Sequence, residues 1–421
     1  MLPKSISFAN NGLNFYNSPT LISTSKQVET TEVLIIGAGA AGLMCAATAG
    51  YRGKQVTVVD MGKKPGRKIL ISGGGRCNFT NENATPDNYL CQNPHFVKSA
   101  LGRYSAQDFI ELVERHGLNY HHKTLGQLFC DDSAQDLVDI LLTECEWAGV
   151  QLELRSEVTS VCKNDNGFFV TTTSKSYQCE TLVVASGGLT MPKLGATPIG
   201  YKIAEQFGLN VLPTTAALVP FTLHDHDKER FDGLSGISIA TTVTSENKVT
   251  FRENILFTHR GLSGPAILQI SSFWQAGQAV TINLLPDSPI ETLINDWRNS
   301  CAQKSLKNML CTVLPKRFIE AMVSQHEIID KAINQISKSE VQALSEYLHK
   351  WQIKPNGTEG YRTAEVTLGG VDTDELSSKT YESKKVENLY FIGEVIDVTG
   401  WLGGYNFQAC WSQGVACGQA V

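Results

Sequence analysis

Three glycines near the N-terminus, Gly37, Gly39 and Gly42, stand at the spacing G-x-G-x-x-G of nucleotide-binding turns. The apolar run Val33–Ile36 precedes them, and a second apolar run ends in Asp60. In a strand–turn–helix–strand unit, such a turn lets the backbone approach a diphosphate, whose charge the helix N-terminus stabilises. A carboxylate that ends the second strand accepts hydrogen bonds from a ribose with a free 2′-hydroxyl. The pattern predicts FAD or NAD as the ligand, against the alternative of an ordinary glycine-rich turn.

A second glycine-rich stretch is GRKILISGGGRCNFTN at residues 66–81, with three consecutive glycines between Ser72 and Arg76. Such a peptide has little side chain and many accessible N–H groups, so it can fold over a diphosphate or a ring without steric conflict. Arg76 and Lys68 add positive charge to the stretch. These features predict a loop that covers the nucleotide.

Near the C-terminus, NLYFIGE at residues 388–394 has the form of a strand that exposes Glu394 beside Gly393. At a dry site, a carboxylate in this place gives the ribityl hydroxyls of a flavin the acceptor that they need. Residues 403–407, GGYNF, open a terminal helix whose N-terminus favours negative charge on the pyrimidine side of a reduced flavin. The alternative is an ordinary strand end with a packed helix.

Two side chains are candidates for proton transfer. His259 lies in FTHRGLSGPAIL, which predicts a turn and then a helix with Ser263 as N-cap and Pro265 in the first turn. Because an unperturbed histidine has a pKa near neutrality, His259 is a candidate acid or base, with a hydrogen-bonded structural histidine as the alternative. Cys77, beside the three glycines, is a candidate redox thiol, with a packed non-redox cysteine as the alternative.

Composition excludes several classes of protein. The chain has 421 residues, enough for two or three domains, and its net charge of −6 gives no overall attraction for nucleic acid. Its 11 cysteines form no C-x-x-C pairs, which argues against a disulfide framework or a metal site and favours the cytoplasm. We expect no membrane-spanning segment. Residues 1–30 are polar and lack a signal-peptide pattern, so they predict a flexible extension.

Residues 151–185 alternate apolar and polar side chains around a turn at Asn164–Gly167, which is typical of an antiparallel meander. TLVVAS at residues 181–186 then predicts a return to the parallel sheet, where Gly187 allows another close backbone approach.

Changes of pattern further along the chain predict a β-rich insertion, a helical part and a return to the nucleotide-binding domain. The predicted parts are residues 31–212 with 356–421 for the FAD-binding domain, residues 213–285 for the β-rich insertion and residues 286–355 for its helical part.

Five segments together resemble one family: GAGAAG, GRKILISGGGRCNFTN, FTHRGLSGPAIL, AEVTLGGV and FIGEVIDVTGWLGGYNFQ. From about residue 31 to the C-terminus, the chain is similar to the bacterial BaiN/RdsA-like flavoproteins, also called YhiN-like or aminoacetone-oxidase-like NAD(P)/FAD-dependent oxidoreductases. The resemblance implies an α/β fold class. Its expected form is a glutathione-reductase-like FAD-binding Rossmann domain with an inserted β-barrel-like domain and a helical subdomain.

The resemblance also implies which residues hold FAD. Val158 matches a position whose backbone meets the adenine, and Ser72–Asn78 match a loop over the cofactor. The predicted cofactor-binding residues are Gly37, Ala38, Gly39, Ala40, Ala41, Gly42, Asp60, Lys68, Ser72, Gly73, Arg76, Cys77, Val158, Ala185, Ser186, Gly187, Gly393, Glu394, Gly403, Gly404, Asn406 and Phe407.

Activities in this family include reduction of ring carbon–carbon double bonds in steroid-like acids, saturation of a uridine in ribosomal RNA, and amine oxidation. We expect an FAD-dependent oxidoreductase that reduces an activated carbon–carbon double bond, in a small molecule or in ribosomal RNA. NAD(P)H is the expected donor and binds transiently, because the chain has one complete dinucleotide motif. We expect no metal and no obligate protein partner.

Three alternatives stay open. The first is an FAD-dependent amine oxidase, and the second is a flavin-binding RNA-interaction or redox-sensing module without turnover. The third, an NAD-linked dehydrogenase, is disfavoured by Glu394 and the GGYN segment, because NAD needs neither.

Overall fold

The computed structural model describes residues 28–421. Its strands are β1 Val28–Ile36, β2 Val56–Asp60, β3 Asn78–Asn81, β4 Tyr89–Leu90, β5 Tyr120–His122, β6 Gln127–Cys130, β7 Gln151–Leu154, β8 Val158–Asn164, β9 Gly167–Thr172, β10 Ser176–Val184, β11 Val211–Ala217, β12 Phe221–Thr222, β13 Ser238–Thr244, β14 Thr250–Phe257, β15 Gly261–Ser263, β16 Val280–Asn283, β17 Trp351–Ile353, β18 Gly357–Thr358, β19 Val366–Val371, β20 Leu389–Phe391 and β21 Thr399–Gly400.

The α-helices of the described residues are α1 Ala40–Tyr51, α2 Arg67–Ile71, α3 Lys98–Arg103, α4 Ala106–Arg115, α5 Ala134–Trp147, α6 Ile199–Gln206, α7 Asp225–Arg230, α8 Pro265–Ser271, α9 Ile290–Cys301, α10 Leu306–Leu310, α11 Lys316–Ser324, α12 Lys338–His349 and α13 Tyr405–Gly418.

A mixed seven-stranded sheet organises the larger of the two main hydrophobic cores. Its strands follow the order β7-β2-β1-β10-β9-β8, and β20 also pairs with β10. β1 runs parallel to β10 from Val28, opposite Ser176, to Ile36, opposite Val184. On its other edge, β10 pairs first with β9 in antiparallel and then with β20 in parallel. The predicted return of residues 181–184 to the parallel sheet is confirmed.

Three local predictions are wrong or incomplete. The predicted extension over residues 1–30 lies outside the described residues up to residue 27, but its last residues, 28–30, already belong to β1. Gln151–Leu154 pairs in parallel with β2 instead of joining the meander, because an edge strand of a parallel sheet shows the same alternation. Ser263 ends β15, and Gly264 is the N-cap of α8, whose first residue is Pro265.

The second seven-stranded sheet is antiparallel and follows the order β17-β16-β13-β14-β15-β12-β18. Its two edge strands are consecutive in the chain: β17 ends at Ile353 and β18 begins at Gly357. That link spans at most about 14 Å. Laid flat, seven strands would separate the edges by about 29 Å. The sheet must therefore curl, as a barrel does.

The chain enters and leaves the region of the second sheet through a two-stranded ribbon. β11 precedes that sheet and pairs in antiparallel with β19, which follows it. The second main core collects apolar side chains between Phe221 and Ile353, including those of α9–α12. The first core joins residues from β1 through Leu209 with residues from Val371 onwards. The domain bounds drawn from the sequence stay a prediction.

No helix within residues 28–421 is both long enough and apolar enough to cross a membrane. No group of three or more histidine, cysteine or acidic side chains there lies close enough together to hold a metal ion.

The terminal helix α13 is anchored by Trp411, which is fully buried. Its ring stacks on Phe109, with the ring centres 4.4 Å apart and the planes 4° apart. Its Nε1 donates to the carbonyl oxygen of Phe79 at 2.8 Å. Trp411 therefore ties α13 to α4 and to β3.

We predict that Trp411→Phe lowers the free energy of unfolding by about 1–3 kcal/mol, because the carbonyl of Phe79 loses its buried donor. Trp147→Phe is the matched control, since Trp147 is 66% exposed and a phenyl ring can still stack on His116. This control should change stability by less than about 0.5 kcal/mol. Urea unfolding followed by far-ultraviolet circular dichroism measures both, and equal losses would contradict the role given to Trp411.

Candidate active site

Backbone carbonyl groups approach the turn after β1 so closely that two positions in this region accept only glycine. Gly37 has a φ of +113°, and a Cβ there would lie 2.3 Å from the carbonyl oxygen of Ala185. A Cβ at Gly42, in the first turn of α1, would lie 2.0 Å from the carbonyl oxygen of Gly37. These two glycines are therefore explained by the fold itself.

Gly39 has a different explanation, because a Cβ there would meet no protein atom within 4 Å. It is the N-cap of α1, and no side chain caps this helix end. The first N–H groups of α1 therefore lack a side-chain acceptor and adjoin open space, as a bound diphosphate requires. Packing within the described residues gives no reason for a glycine at position 39, whereas a ligand does.

Open space above Gly39 belongs to a cavity of about 590 Å³. This volume is typical of a site for an organic ligand. The predicted cofactor-binding residues that line it are Gly37, Ala38, Gly39, Ala40, Ala41, Asp60, Lys68, Ser72, Gly73, Ala185, Ser186, Gly187, Gly393, Glu394, Gly403, Gly404, Asn406 and Phe407. Parts of the chain more than 300 residues apart thus meet around one space.

Four predicted cofactor-binding residues do not line the cavity. Gly42 instead packs against the backbone carbonyl of Gly37, where a larger residue would not fit. Arg76 is exposed, Cys77 is buried, and Val158 is half-buried at the start of β8. The structure therefore gives these residues no direct place against a ligand in the cavity.

Neither proton-transfer candidate lines the cavity. His259 is exposed, in the tight turn between β14 and β15. Cys77 is fully buried, and this burial raises the pKa of its thiol well above the ordinary value. Because neither side chain reaches the cavity, this geometry does not support their role as proton donors.

Asp60, at the end of β2, is held by three donors. Its Oδ2 accepts from the amide of Ala38 at 2.9 Å, and its Oδ1 accepts from the amide of Gly62 at 2.6 Å. The guanidinium of Arg67 pairs with the same Oδ1 at 3.0 Å and also donates to the carbonyl of Leu194. Arg67 lines the cavity and was not among the predicted site residues.

Glu394, which also lines the cavity, is held in a similar way. Its Oε1 accepts from the amide of Thr367 at 2.8 Å, while its Oε2 forms an ion pair with Lys68. Lys68 also donates to the hydroxyl of Thr190 at 2.7 Å. The carboxylate predicted to bind ribityl hydroxyls is thus present and oriented.

The start of α13 closes the other side of the cavity. A Cβ at Gly404, whose φ is +95°, would lie 2.3 Å from the carbonyl oxygen of Thr80. Asn406 fixes the preceding loop, because its Oδ1 accepts from the amide of Gly400 at 2.8 Å and its Nδ2 donates to Trp401 at 3.1 Å. The GGYN segment therefore has a structural role besides facing the cavity.

Two acids in the cavity were not identified from the sequence, Glu253 on β14 and Glu365 just before β19. Burial raises the pKa of both carboxyl groups. Glu253 accepts a long hydrogen bond, 3.4 Å, from Gln269. Glu365 belongs to the AEVTLGGV segment, but a single acid beside an apolar strand does not indicate which surface it meets.

Residues 31–420 match the family model described as the HI0933-like protein Rossmann domain. This chain belongs to the HI0933-like family. The match covers the glycine turn, the second sheet and the terminal helix, so family membership concerns nearly the whole chain.

This HI0933-like protein is similar over most of its length to three curated proteins. A ribosomal RNA dihydrouridine synthase of Escherichia coli is 59% identical over 93% of this chain and 98% of the relative. One of the same name from Haemophilus influenzae is 54% identical over 93% and 98%. A 3-dehydro-bile acid delta(4,6)-reductase of Clostridium scindens is 26% identical over 92% and 98%.

Membership in the HI0933-like family confirms the family resemblance and the prediction of a Rossmann-type α/β fold. The prediction of an FAD-dependent oxidoreductase is confirmed at the level of enzyme class. The residues assigned to the cofactor and to catalysis stay predictions.

We predict opposite consequences for two glycine substitutions in the same turn. Gly42→Ala should lower the free energy of unfolding of the FAD-free protein by about 1–3 kcal/mol, because its Cβ would meet a backbone carbonyl. Gly39→Ala should leave that stability almost unchanged but weaken FAD binding by at least about tenfold, or about 1.4 kcal/mol, because the methyl group fills ligand space.

Thermal unfolding without FAD and titration of the quenching of FAD fluorescence measure the two effects separately. Normal FAD affinity in Gly39→Ala would contradict the place given to the diphosphate. Equal destabilisation by both substitutions would contradict the distinction between fold and ligand.

Proposed function

We propose that this HI0933-like protein is an FAD-dependent reductase that converts a uridine of ribosomal RNA into dihydrouridine. The observation that carries this proposal is 59% identity, over nearly the full length of both chains, to a ribosomal RNA dihydrouridine synthase. The more distant bile-acid reductase supports the same type of chemistry. Both names denote the addition of hydrogen across a carbon–carbon double bond.

FAD fits the residues that line the cavity. The N-terminus of α1 and the space above Gly39 suit the diphosphate, and the carboxylate of Asp60, at the end of β2, suits the adenosine ribose. Glu394, Gly403 and Gly404 suit the ribityl chain and the ring system. When bound, FAD supplies two-electron hydride transfer, and the protein supplies orientation and exclusion of water.

NAD(P)H is the proposed donor. The second sheet of the described residues is antiparallel throughout, so it does not offer a second parallel βαβ dinucleotide site. In this proposal the donor binds transiently at the flavin cavity.

An RNA substrate requires local positive charge, because the chain as a whole carries −6. Six exposed cations belong to segments that line the cavity or adjoin its lining, and we call them the basic rim. They form no salt bridge with any residue of 28–421. The basic rim consists of Lys63, Lys64, Arg76, Lys123, Arg155 and Lys193.

Local contacts bring parts of the basic rim together. The amide of Arg155 donates to the carbonyl of Gly62, next to Lys63, at 2.9 Å. Lys123 lines the cavity, with its ammonium 4.6 Å from the ring centre of Phe129. Cations without acidic partners next to a cavity are available to phosphate groups.

We predict that the purified protein binds FAD and that NAD(P)H bleaches the flavin under anaerobic conditions. With these components it should form dihydrouridine in ribosomal RNA from a strain that lacks the gene. Mass spectrometry of nucleosides detects the gain of two hydrogens. Protein without FAD is the negative control.

Several outcomes would contradict the proposal. A colourless protein that refuses FAD would reject the whole assignment. Flavin turnover with amines and oxygen, without change in the RNA, would favour the amine-oxidase alternative. Tight RNA binding without flavin oxidation would favour a binding module.

We predict that the double substitution Arg76→Ala with Lys123→Ala weakens binding of a ribosomal RNA fragment. It should reduce the slope of log affinity against log salt by about 0.7 per lost phosphate contact for single-stranded RNA. Lys304→Ala with Lys338→Ala is the matched control, because both lysines are exposed and no residue from 266 to 364 lines the cavity. An unchanged affinity and slope in the rim variant would reject the role of these two cations.

A further inference from the structure

Reduction of a carbon–carbon double bond requires a proton as well as a hydride, and the cavity contains an acid with unusual surroundings. The Glu365 side chain is accessible, and the space that it lines is the cavity. Within residues 28–421, its carboxylate forms no side-chain hydrogen bond and no ion pair. This exposure is to the cavity, whose protein walls partly desolvate the carboxyl group, and the desolvation raises the pKa of Glu365.

The other acids of the cavity are engaged. Asp60 accepts from two amides and Arg67. Glu394 accepts from Thr367 and pairs with Lys68. These contacts favour the charged forms of both carboxylates and fix their orientation. Such acids suit ligand binding better than proton donation.

Glu253 is the competing acid, since burial raises its pKa as well. It differs from Glu365 in having Gln269 as a partner, and Gln269 also accepts from the amide of Leu402 at 2.9 Å. Glu253 is therefore part of the support of the loop before α13. Glu365 has no comparable structural task among the described residues.

The backbone around Glu365 is firmly placed. Its amide donates to the carbonyl of Leu218 at 3.2 Å, and its carbonyl accepts from the hydroxyl of Thr190 at 3.3 Å. Two residues later, the amide of Thr367 donates to the carboxylate of Glu394. The main chain of Glu365 is thus fixed, while its carboxyl group has no hydrogen-bond partner among the described residues. Glu365 and Glu394 lie in the same part of the cavity.

We propose that Glu365 is the proton donor of the reductase reaction, an inference that rests on the proposed function. The π bond of the substrate breaks, one carbon receives a hydride for which NAD(P)H is the ultimate source, and the other carbon receives the carboxyl proton of Glu365. Two C–H bonds form, NAD(P)H is oxidised, and the resulting carboxylate is protonated again from water. Atoms and electrons balance without another reactant.

The sign of the pH dependence follows from the direction of the pKa shift. A proton donor acts only in its protonated form, so substrate reduction should decline as pH rises through the raised pKa. Lys68 works in the opposite direction and limits the upward shift. The charged groups that line the same cavity are Asp60, Arg67, Lys68, Lys123, Glu253 and Glu394.

The test separates the two half-reactions of the FAD-loaded protein. In Glu365→Gln, anaerobic bleaching by NAD(P)H should keep its wild-type rate, whereas flavin reoxidation by ribosomal RNA should slow by roughly 100-fold or more. Glu365→Asp should recover part of that loss, and Glu253→Gln should lose less than Glu365→Gln. Wild-type reoxidation in Glu365→Gln, or a larger loss in Glu253→Gln, would overturn the assignment.

A second readout does not depend on activity. A raised carboxyl pKa means that the folded FAD-free protein holds a proton that the unfolded chain has released. Relative to Glu365→Gln, the wild type should therefore lose stability as pH rises from the ordinary carboxyl pKa to the raised one. Melting temperatures that follow the same course in both proteins would show that Glu365 does not retain its proton.

Failure of the proposed function looks different from failure of this inference. If the flavin of the wild-type protein is reduced by NAD(P)H but never reoxidised by ribosomal RNA, the substrate assignment fails. If the wild type works and Glu365→Gln works equally well, only the proton-donor assignment fails.

Discussion

Close packing of α1 against α13 is the constraint on which the cavity depends. A Cβ at Gly414 would lie 2.8 Å from the carbonyl oxygen of Ala41, and one at Gly418 would lie 2.7 Å from that of Cys45. Glycines at these positions let two helix backbones approach closely, so the beginning and the end of the chain share one core. The helix that follows the N-terminal turn thus lies against the helix whose N-cap is Gly404.

The acidic side chains of the cavity differ in whether a cation pairs with them. Two acids are paired with cations from α2, Asp60 with Arg67 and Glu394 with Lys68, and both are also held by backbone amides. Buried charges are tolerated when they are paired in this way. Glu365 lacks such pairing, and the environment then favours its neutral form. One cavity thereby offers fixed acceptors for ligand hydroxyls and a separate carboxyl group whose pKa is raised.

Much of the site could be predicted because its signals are local. The glycines at 37, 39 and 42 act through backbone geometry within a few residues, and Asp60 ends the next strand. The meander and the parallel strand β10 follow from side-chain alternation. The chain order of these elements was sufficient to place them in the first sheet.

The position of a side chain could not be predicted where it depends on distant contacts. Histidine is a common acid or base in enzymes, but the short hairpin from β14 to β15 leaves His259 exposed outside the cavity. Cys77 follows three glycines in the chain, yet its backbone, with a φ of +43°, turns the residue into the core. Sequence position alone does not reveal on which side of a loop a side chain lies.

The sequence by itself determined the nucleotide-binding turn, the strand that ends in Asp60 and the family of the protein, because each rests on residue types at short spacing. Only the tertiary structure decided which acids share the cavity. Glu253 comes from the curled second sheet and Glu365 from the position just before the ribbon strand β19, and no local rule connects either to the glycine turn. Their pKa values depend on burial, and burial exists only once distant segments have packed together.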